Sequence, residues 1–181
     1  MKLLHTCVLA GLVAALPASA ALAPGARAPS FTAQASLGGK EFTYSLADAL
    51  SKGPVILYFY PAAFTKGCTL EAHAFAAAID NFKELGASVI GVSEDDIATL
   101  DRFSVSECQS KFPVAADNDG QIAKAYDTIL KLHPLRASRT SYVIAPDGKI
   151  IYDYTDLDPD KHVENTLGAL RKWRAESRQH V

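Results

Sequence analysis

A proline, a threonine and a cysteine at fixed spacing form the segment with the clearest chemical potential. It runs Pro61-Ala62-Ala63-Phe64-Thr65-Lys66-Gly67-Cys68, after the apolar residues 55–60 and at the start of a helix predicted over residues 65–85. A continuously apolar run is typical of a strand buried on both faces. A cysteine in a first helical turn meets unpaired N–H groups and the positive end of the helix dipole, which both favour thiolate. The pattern predicts a nucleophile at Cys68.

Three neighbours of Cys68 have candidate roles of their own. Thr65 is close enough either to cap the helix or to hold a substrate oxygen beside the sulfur. Pro61 would fix the turn and exclude water. Glu71, one turn after Cys68, belongs either to the pocket or to a solvated helix face. For Cys68 itself, the alternative is an inert, half-buried cysteine.

The other segments alternate between strands and helices. The sequence predicts a strand pair around residues 38–39, a buried strand over residues 88–92, a helix that begins at residues 94–96 and carries Cys108, a short helix over residues 117–125, a hairpin of residues 140–145 and 150–155, and a last helix capped by Asp158 with Pro159 at its first position. Parallel strands need helical crossovers, whereas a hairpin is antiparallel. This order predicts an α/β protein in which helices flank a central mixed sheet. The order resembles the thioredoxin-like fold, which is the fold we expect.

Composition and the first residues bound the class of protein. The 181 residues include 18 Lys+Arg and 20 Asp+Glu, for a net charge of −2, so nucleic acid is not an expected partner. Residues 1–20 contain Lys2, a short apolar run and Ala18-Ser19-Ala20, the pattern of a cleaved secretory signal. We therefore expect a signal peptide at 1–20, one domain at 21–181, a periplasmic or secreted location and no stable membrane insertion after cleavage. The alternative is a retained N-terminal anchor.

Cleavage would leave Cys68 and Cys108 in a compartment where disulfides persist. At 100° per residue, Cys108 shares the inward stripe of its predicted helix with Leu100 and Ser104, which also suits a core cysteine. Cys108 could therefore react with Cys68, remain free, or form a permanent disulfide. The five histidines show no zinc-ligand spacing with the cysteines, and we expect neither a metal nor a cofactor.

The Pro-x-x-x-Thr-x-x-Cys segment resembles the signature of the peroxiredoxins, which place it after an apolar strand end and on the first turn of a helix. Further matching segments are residues 28–31, 91–93, 139–144 and 147–149. The nearest branch is similar to the bacterioferritin comigratory protein, or Q-type, peroxiredoxins. The resemblance implies a catalytic site of Pro61, Thr65, Cys68 and Arg139 that reduces hydrogen peroxide and organic hydroperoxides. Arg136 is a rival for Arg139, which could instead form an ordinary surface pair.

The resemblance also implies a sulfenic acid on Cys68 that must be resolved. His73 occupies the position where a common family pattern has the second cysteine, so Cys108 is the tentative resolving residue. An external thioredoxin-like or other dithiol would regenerate the enzyme, and the branch implies a monomer. The alternatives are a thiol-disulfide oxidoreductase, although Glu71 replaces the second cysteine of a Cys-x-x-Cys pair, and a non-enzymatic redox-sensing or binding module.

Overall fold

The computed structural model describes residues 21–179, and the predicted signal segment lies outside that range. The strands are β1 (Thr32–Leu37), β2 (Lys40–Ser45), β3 (Val55–Phe59), β4 (Ser88–Ser93), β5 (Val114–Ala116), β6 (Ile129–Leu130), β7 (His133–Ala137), β8 (Thr140–Ile144) and β9 (Ile150–Thr155), and the helices are α1 (Leu46–Leu50), α2 (Lys66–Glu84), α3 (Ile97–Ser106), α4 (Gln121–Ala125) and α5 (His162–Gln179).

Seven of the strands form one sheet in the order β2-β1-β5-β4-β3-β8-β9. The central strands β3, β4 and β5 are parallel, and the other neighbours are antiparallel. Strands β6 and β7 pair separately. The prediction of a thioredoxin-like α/β fold with a mixed central sheet is confirmed.

The central strand β3 separates two apolar layers. All five of its residues are buried, because helices cover both faces of the sheet. Ile56 and Tyr58 pack with residues of α2, α3 and α5, whereas Val55, Leu57 and Phe59 pack with residues of α1 and α4. This alternation follows from the two-residue period of a strand. Helix α2 is thereby seated on the larger layer, with its first turn at the end of β3.

The pairing of β8 with β3 brings distant parts of the chain together. The two strands are antiparallel, and Thr140 at the start of β8 lies opposite Phe59 at the end of β3. The residue before β8 is Arg139, so this register places it at the edge of the sheet where α2 begins. No local sequence pattern predicts this proximity, because it depends on the strand order.

Helix α3 is shorter than its sequence indicates. It ends at Ser106, and Cys108 lies in the turn that follows, with its amide donating to the Phe103 carbonyl at 3.1 Å. Gln109 and Ser110 have positive φ angles of 53° and 56°, which are incompatible with a continuing right-handed helix. The prediction that Cys108 lies on a helical stripe is wrong, although its burial is as expected.

The last helix also begins later than predicted. Asp158 is not its cap, because the Asp158 carboxylate accepts from the Asp160 amide at 3.0 Å, in a turn that precedes the helix. A second turn of this kind joins Asp156 to Asp158 at 2.9 Å. Aspartate side chains that bond backbone two residues ahead favour turns over helix. Helix α5 therefore starts at His162. Among residues 21–179, no helix has the length and apolar character that a membrane crossing requires.

Candidate active site

Cys68 lies in the first turn of α2 and is only 1% exposed. Thr65 occupies the N-cap position in an extended conformation, with φ −76° and ψ 149°. Since the helix begins at Lys66, the amides of Lys66, Gly67 and Cys68 have no acceptor within the helix. The sulfur is thus placed near unpaired N–H dipoles and largely shielded from water, an environment suited to negative charge on sulfur.

The loop that leads into α2 is anchored by side chains from other parts of the sheet. Asp95, just after β4, accepts a hydrogen bond from the Ala63 amide at 2.7 Å. Arg136 donates to the Pro61 carbonyl at 3.2 Å. Arg136, the sequence rival of Arg139, therefore supports the loop through Pro61 and makes no hydrogen bond to Cys68.

Thr65 is exposed, and its hydroxyl points back along the loop. Its Oγ1 donates to the Ala62 carbonyl at 3.0 Å, and it makes no capping hydrogen bond to α2. Of the two roles that the sequence leaves open, the side-chain cap is therefore not formed. The hydroxyl oxygen keeps lone pairs that can accept a hydrogen bond from a peroxide.

Arg139 is the residue that the structure brings to Cys68 from far along the sequence. Its Nη2 lies 3.6 Å from Cys68 Sγ, its Nη1 pairs with Glu71 Oε2, and its Nε donates to the Leu157 carbonyl at 2.9 Å. Three contacts fix the plane of the guanidinium group, and the whole residue is 4% exposed. An ordinary surface pair is therefore the wrong description of Arg139.

Gly67 makes this approach of Arg139 possible. A Cβ atom at position 67 would lie 2.9 Å from Arg139 Nη2, a distance that real Cβ contacts essentially never show. Sequence analysis did not single out Gly67 as a site residue. Its position next to Cys68 was the available signal, but its purpose depends on Arg139, which arrives through the tertiary fold.

Glu71 is fully buried and belongs to the same group of side chains. Its Oε2 pairs with Arg139, whereas its Oε1 has no hydrogen-bond partner among the described residues. Desolvation raises the pKa of Glu71 from 4.5 to about 8, although Arg139 opposes the shift. Of the two alternatives that the sequence leaves open for Glu71, the solvated helix face is wrong, because the side chain is buried beside Arg139.

His162, the first residue of α5, lies on the far side of Glu71. It is fully buried, with Nδ1 at 2.8 Å from Ser141 Oγ and at 3.6 Å from Glu71 Oε1. Its Nε2 lies 2.9 Å from the Asp156 carbonyl. Desolvation lowers the pKa of His162 from 6.5 to about 4. Sequence analysis missed this residue, because its partners come from α2 and β8 and leave no local pattern.

Cys108 lies in apolar surroundings within the same core cluster as Cys68. It is fully buried, and that burial raises the pKa of its thiol. Among residues 21–179, the buried hydroxyls of Tyr58 and Tyr60, in this cluster, have no hydrogen-bond partner. Within the same range, Cys68 and Cys108 are both free thiols, so no disulfide joins them.

The arrangement suits nucleophilic chemistry at a single sulfur. Cys68 has the dipole of α2 on one side and the Arg139 guanidinium on another, and a polar Thr65 hydroxyl lies at the loop surface. Within residues 21–179, no cluster of three or more histidine, cysteine or acidic side chains is placed to hold a metal ion.

Comparisons with known proteins agree with this fold. A family model described as the AhpC/TSA family matches residues 24–153. The chloroplastic peroxiredoxin Q of Oryza sativa subsp. japonica is 34% identical over 151 residues, which cover 81% of this chain and 66% of that protein. Peroxiredoxin Bcp of Xanthomonas campestris pv. campestris is 29% identical over 122 residues, which cover 65% of this chain and 76% of that protein.

A solved structure shows the same likeness in three dimensions. The crystal structure of peroxidoxin BcpB from Mycobacterium tuberculosis has a TM-score of 0.75 and 30% sequence identity, and the match covers 82% of this chain and 96% of that one.

Fold and site define a thioredoxin-like protein with a helix-start cysteine. The chain belongs to the AhpC/TSA family and, within it, to the peroxiredoxins of the Q/Bcp type. The matched region spans about two thirds of the length of the chloroplastic relative.

Proposed function

We propose that this chain is a thiol peroxidase that reduces hydrogen peroxide and organic hydroperoxides, with Cys68 as the attacking residue. The observation that carries the proposal is the approach of Arg139 Nη2 to within 3.6 Å of Cys68 Sγ at the start of α2. A fixed guanidinium group and unpaired amides stabilise negative charge on the sulfur before attack and on the departing oxygen during it.

In the first step, the Cys68 thiolate attacks the outer oxygen of a peroxide R–O–O–H. The S–O bond forms as the O–O bond breaks, which leaves Cys68 sulfenic acid and an RO⁻ ion that takes up a proton to become water or an alcohol. Arg139 stabilises the RO⁻ charge, and Thr65 Oγ1 accepts the hydrogen bond of the peroxide O–H. Pro61 shapes the loop that shields the reacting atoms.

In the second step, the Cys108 thiol attacks the sulfur of the Cys68 sulfenic acid. A disulfide forms and one water leaves. Cys108 starts from a buried turn after α3, and disulfide geometry needs the two Cα atoms within about 7 Å. Local unwinding around either cysteine would allow this approach. An external dithiol then reduces the disulfide by thiol–disulfide exchange and is itself oxidised.

The location of the protein determines which dithiol is available. On the pattern of residues 1–20, we infer export to the periplasm or beyond, followed by removal of this segment. A cytosolic thioredoxin would not reach it there, so the reductant we propose is a thioredoxin-like dithiol supplied through the membrane. We propose that the enzyme acts as a monomer. Turnover in a periplasmic extract that lacks such dithiols would contradict the proposed reductant.

Intact mass measurement tests both chemical steps together. The fully reduced protein receives one equivalent of hydrogen peroxide, with Cys68→Ser and Cys108→Ser in parallel. We expect the wild type to lose two hydrogens, Cys108→Ser to gain one oxygen, and Cys68→Ser to remain unchanged. An oxygen adduct in the wild type would show that Cys108 does not resolve the sulfenic acid, and no rapid change would exclude the peroxidase.

A further inference from the structure

Two buried titratable groups, Glu71 and His162, face each other behind Arg139 at a separation too long for a normal hydrogen bond. Glu71 Oε1 lies 3.6 Å from His162 Nδ1, and both residues are 0% exposed. The other carboxylate oxygen is taken by Arg139, which in turn reaches Cys68. The protonation of this pair therefore bears on the charge that Arg139 presents to the sulfur.

The hydrogen bonds of His162 determine where its own proton lies. Nε2 is 2.9 Å from the Asp156 carbonyl, which can only accept, so Nε2 carries the hydrogen. In the neutral ring Nδ1 is then an acceptor, and the Ser141 hydroxyl at 2.8 Å donates to it. An ionised Glu71 would direct oxygen lone pairs at this nitrogen lone pair, and both residues are 0% exposed. A proton on Glu71 Oε1 removes that conflict.

We propose that His162 is a positioning residue that keeps Glu71 protonated in the reduced enzyme at neutral pH, so that Arg139 retains its positive charge for Cys68. The proposal rests on the peroxidase function above and extends it to residues outside the contact with substrate. A neutral Glu71 still accepts from Arg139 through Oε2 but does not cancel the guanidinium charge. Loss of the Glu71 proton would weaken the stabilisation of both thiolate and leaving oxygen.

Other groups around the pair shift the pKa of His162 in both directions. The carboxylates of Asp156 and Asp158 favour a protonated His162, whereas Arg139 and burial oppose it, and the net result is a lowered pKa. Burial raises the pKa of Glu71 despite Arg139. The Tyr154 ring lies 4.8 Å from the imidazole, and the Ser141 hydroxyl lies 2.8 Å from Nδ1. The charge of Glu71 is also among the causes that raise the pKa of the buried Tyr58 hydroxyl.

The protonation states can be measured on the reduced full chain without peroxide, and so independently of peroxidase activity. With glutamate labelled by ¹³C at Cδ, the Glu71 signal is assigned by its absence in Glu71→Gln. We expect it to have the shift of a carboxylic acid at pH 7 and to titrate near pH 8. Long-range ¹H–¹⁵N spectra should show His162 neutral, with hydrogen on Nε2. A Glu71 carboxylate throughout pH 6–9, or hydrogen on His162 Nδ1 at pH 7, would overturn the proposal.

The effect on Cys68 is measured by the pH dependence of its rate of oxidation by hydrogen peroxide. In the wild type we expect the rate to fall several-fold as Glu71 ionises. In His162→Asn, an amide N–H can donate to Glu71 Oε1 and stabilise the carboxylate. The midpoint of the decrease in the oxidation rate should therefore shift to lower pH by about one unit or more. The control is Glu94→Gln, which removes a carboxyl group that binds the Ala137 amide and should leave the fall in place.

The outcomes separate this proposal from the peroxidase function itself. A merely structural His162 would lower the rate equally at all pH values and leave the midpoint of the fall unmoved, which would overturn the positioning role. If peroxide leaves Cys68 unoxidised at every pH, the peroxidase function fails, whereas the NMR titration still decides the state of the Glu71–His162 pair.

Discussion

The two cysteines lie in one apolar core but in opposite chemical surroundings. Cys68 begins a helix and has Arg139 beside its sulfur, whereas Cys108 follows the end of a helix and is surrounded by aromatic residues such as Phe103 and Phe112. Burial raises the pKa of the Cys108 thiol. One sulfur is therefore equipped for anionic attack, and the other is kept as a neutral thiol.

This difference matches the order of the two proposed chemical steps. The first step needs a nucleophile before any oxidant arrives. The fixed guanidinium charge of Arg139 favours that nucleophile, the Cys68 thiolate. The second step needs a thiol that leaves its apolar site once the sulfenic acid has formed. In the proposed cycle, burial protects Cys108 from direct oxidation until that local opening occurs. The two proposed roles therefore follow from the folded surroundings of each cysteine and not from the residue type.

Removing the Arg139 charge should have the largest effect and make the two cysteines more alike. We expect Arg139→Met to slow oxidation of Cys68 by about 10²–10³-fold, the usual loss for one preorganised donor. Rapid-quench mass spectrometry of the oxygen adduct, in the Cys108→Ser background, measures this rate. Arg136→Met is the matched control, because Arg136 binds the Pro61 carbonyl and should affect the rate far less. Equal losses in the two variants would contradict the role of Arg139.

The second-largest effect should be the loss of stability when each cysteine is replaced by the more polar serine. Cys108→Ser buries a hydroxyl among apolar groups and should lower the free energy of unfolding by about 1–3 kcal/mol. Cys68→Ser should cost less, because Arg139 Nη2 can donate to the new hydroxyl oxygen. Urea denaturation of the reduced proteins gives both values. A larger loss for Cys68→Ser would reverse the comparison between the sites.

The sequence predicted the Cys68 side of this comparison better than the Cys108 side. Motif spacing and the apolar strand before it place Cys68 at a helix start, since both signals are local. The sequence places Cys108 on a helix, whereas the helix ends at Ser106. The positive φ angles of Gln109 and Ser110 prevent the helix from continuing, and these two residue types do not announce such angles in the sequence. Local periodicity cannot show where tertiary packing stops a helix.

The remaining residues of the charged network were beyond local sequence patterns. Only the family resemblance points to Arg139, and the antiparallel register of β8 on β3 is the physical reason that it reaches Cys68. The sequence does not decide whether Glu71 faces the pocket or solvent, and no sequence signal marks His162 as part of the site. Their burial depends on α5 packing over α2, a contact between segments far apart in the chain.

A pH titration of stability should detect the charged network around Cys68. The pKa of Glu71 is raised from 4.5 to about 8, so the folded protein holds a proton that the unfolded chain has lost, and stability falls as pH rises through this interval. His162, with its pKa lowered from 6.5 to about 4, acts oppositely below pH 6.5. Above pH 7, the Glu71 contribution should reach at most about 1.4 kcal/mol per pH unit.

The comparison is between two variants measured by urea denaturation at pH 7.0, 7.5 and 8.0. Glu71→Gln should remove most of the downward slope, because the amide does not titrate, whereas Cys108→Ser should preserve it. An unchanged slope in Glu71→Gln would mean that Glu71 is already ionised at pH 7.

The smallest effect should come from the surface contacts that hold the turn around Cys108. His73 Nε2 lies 3.0 Å from Glu107 Oε2, next to Cys108 in sequence, and His73 is partly exposed. His73→Ala should ease the opening of this turn and accelerate disulfide formation by about twofold to fivefold, the range of one exposed pair. Oxidation of Cys68 to sulfenic acid should keep its rate.

Lys83→Ala, which removes another surface pair of α2, is the matched control. Stopped-flow mixing with quenched mass analysis separates the two steps, and a slower second step in His73→Ala would show that this contact guides Cys108 and does not restrain it.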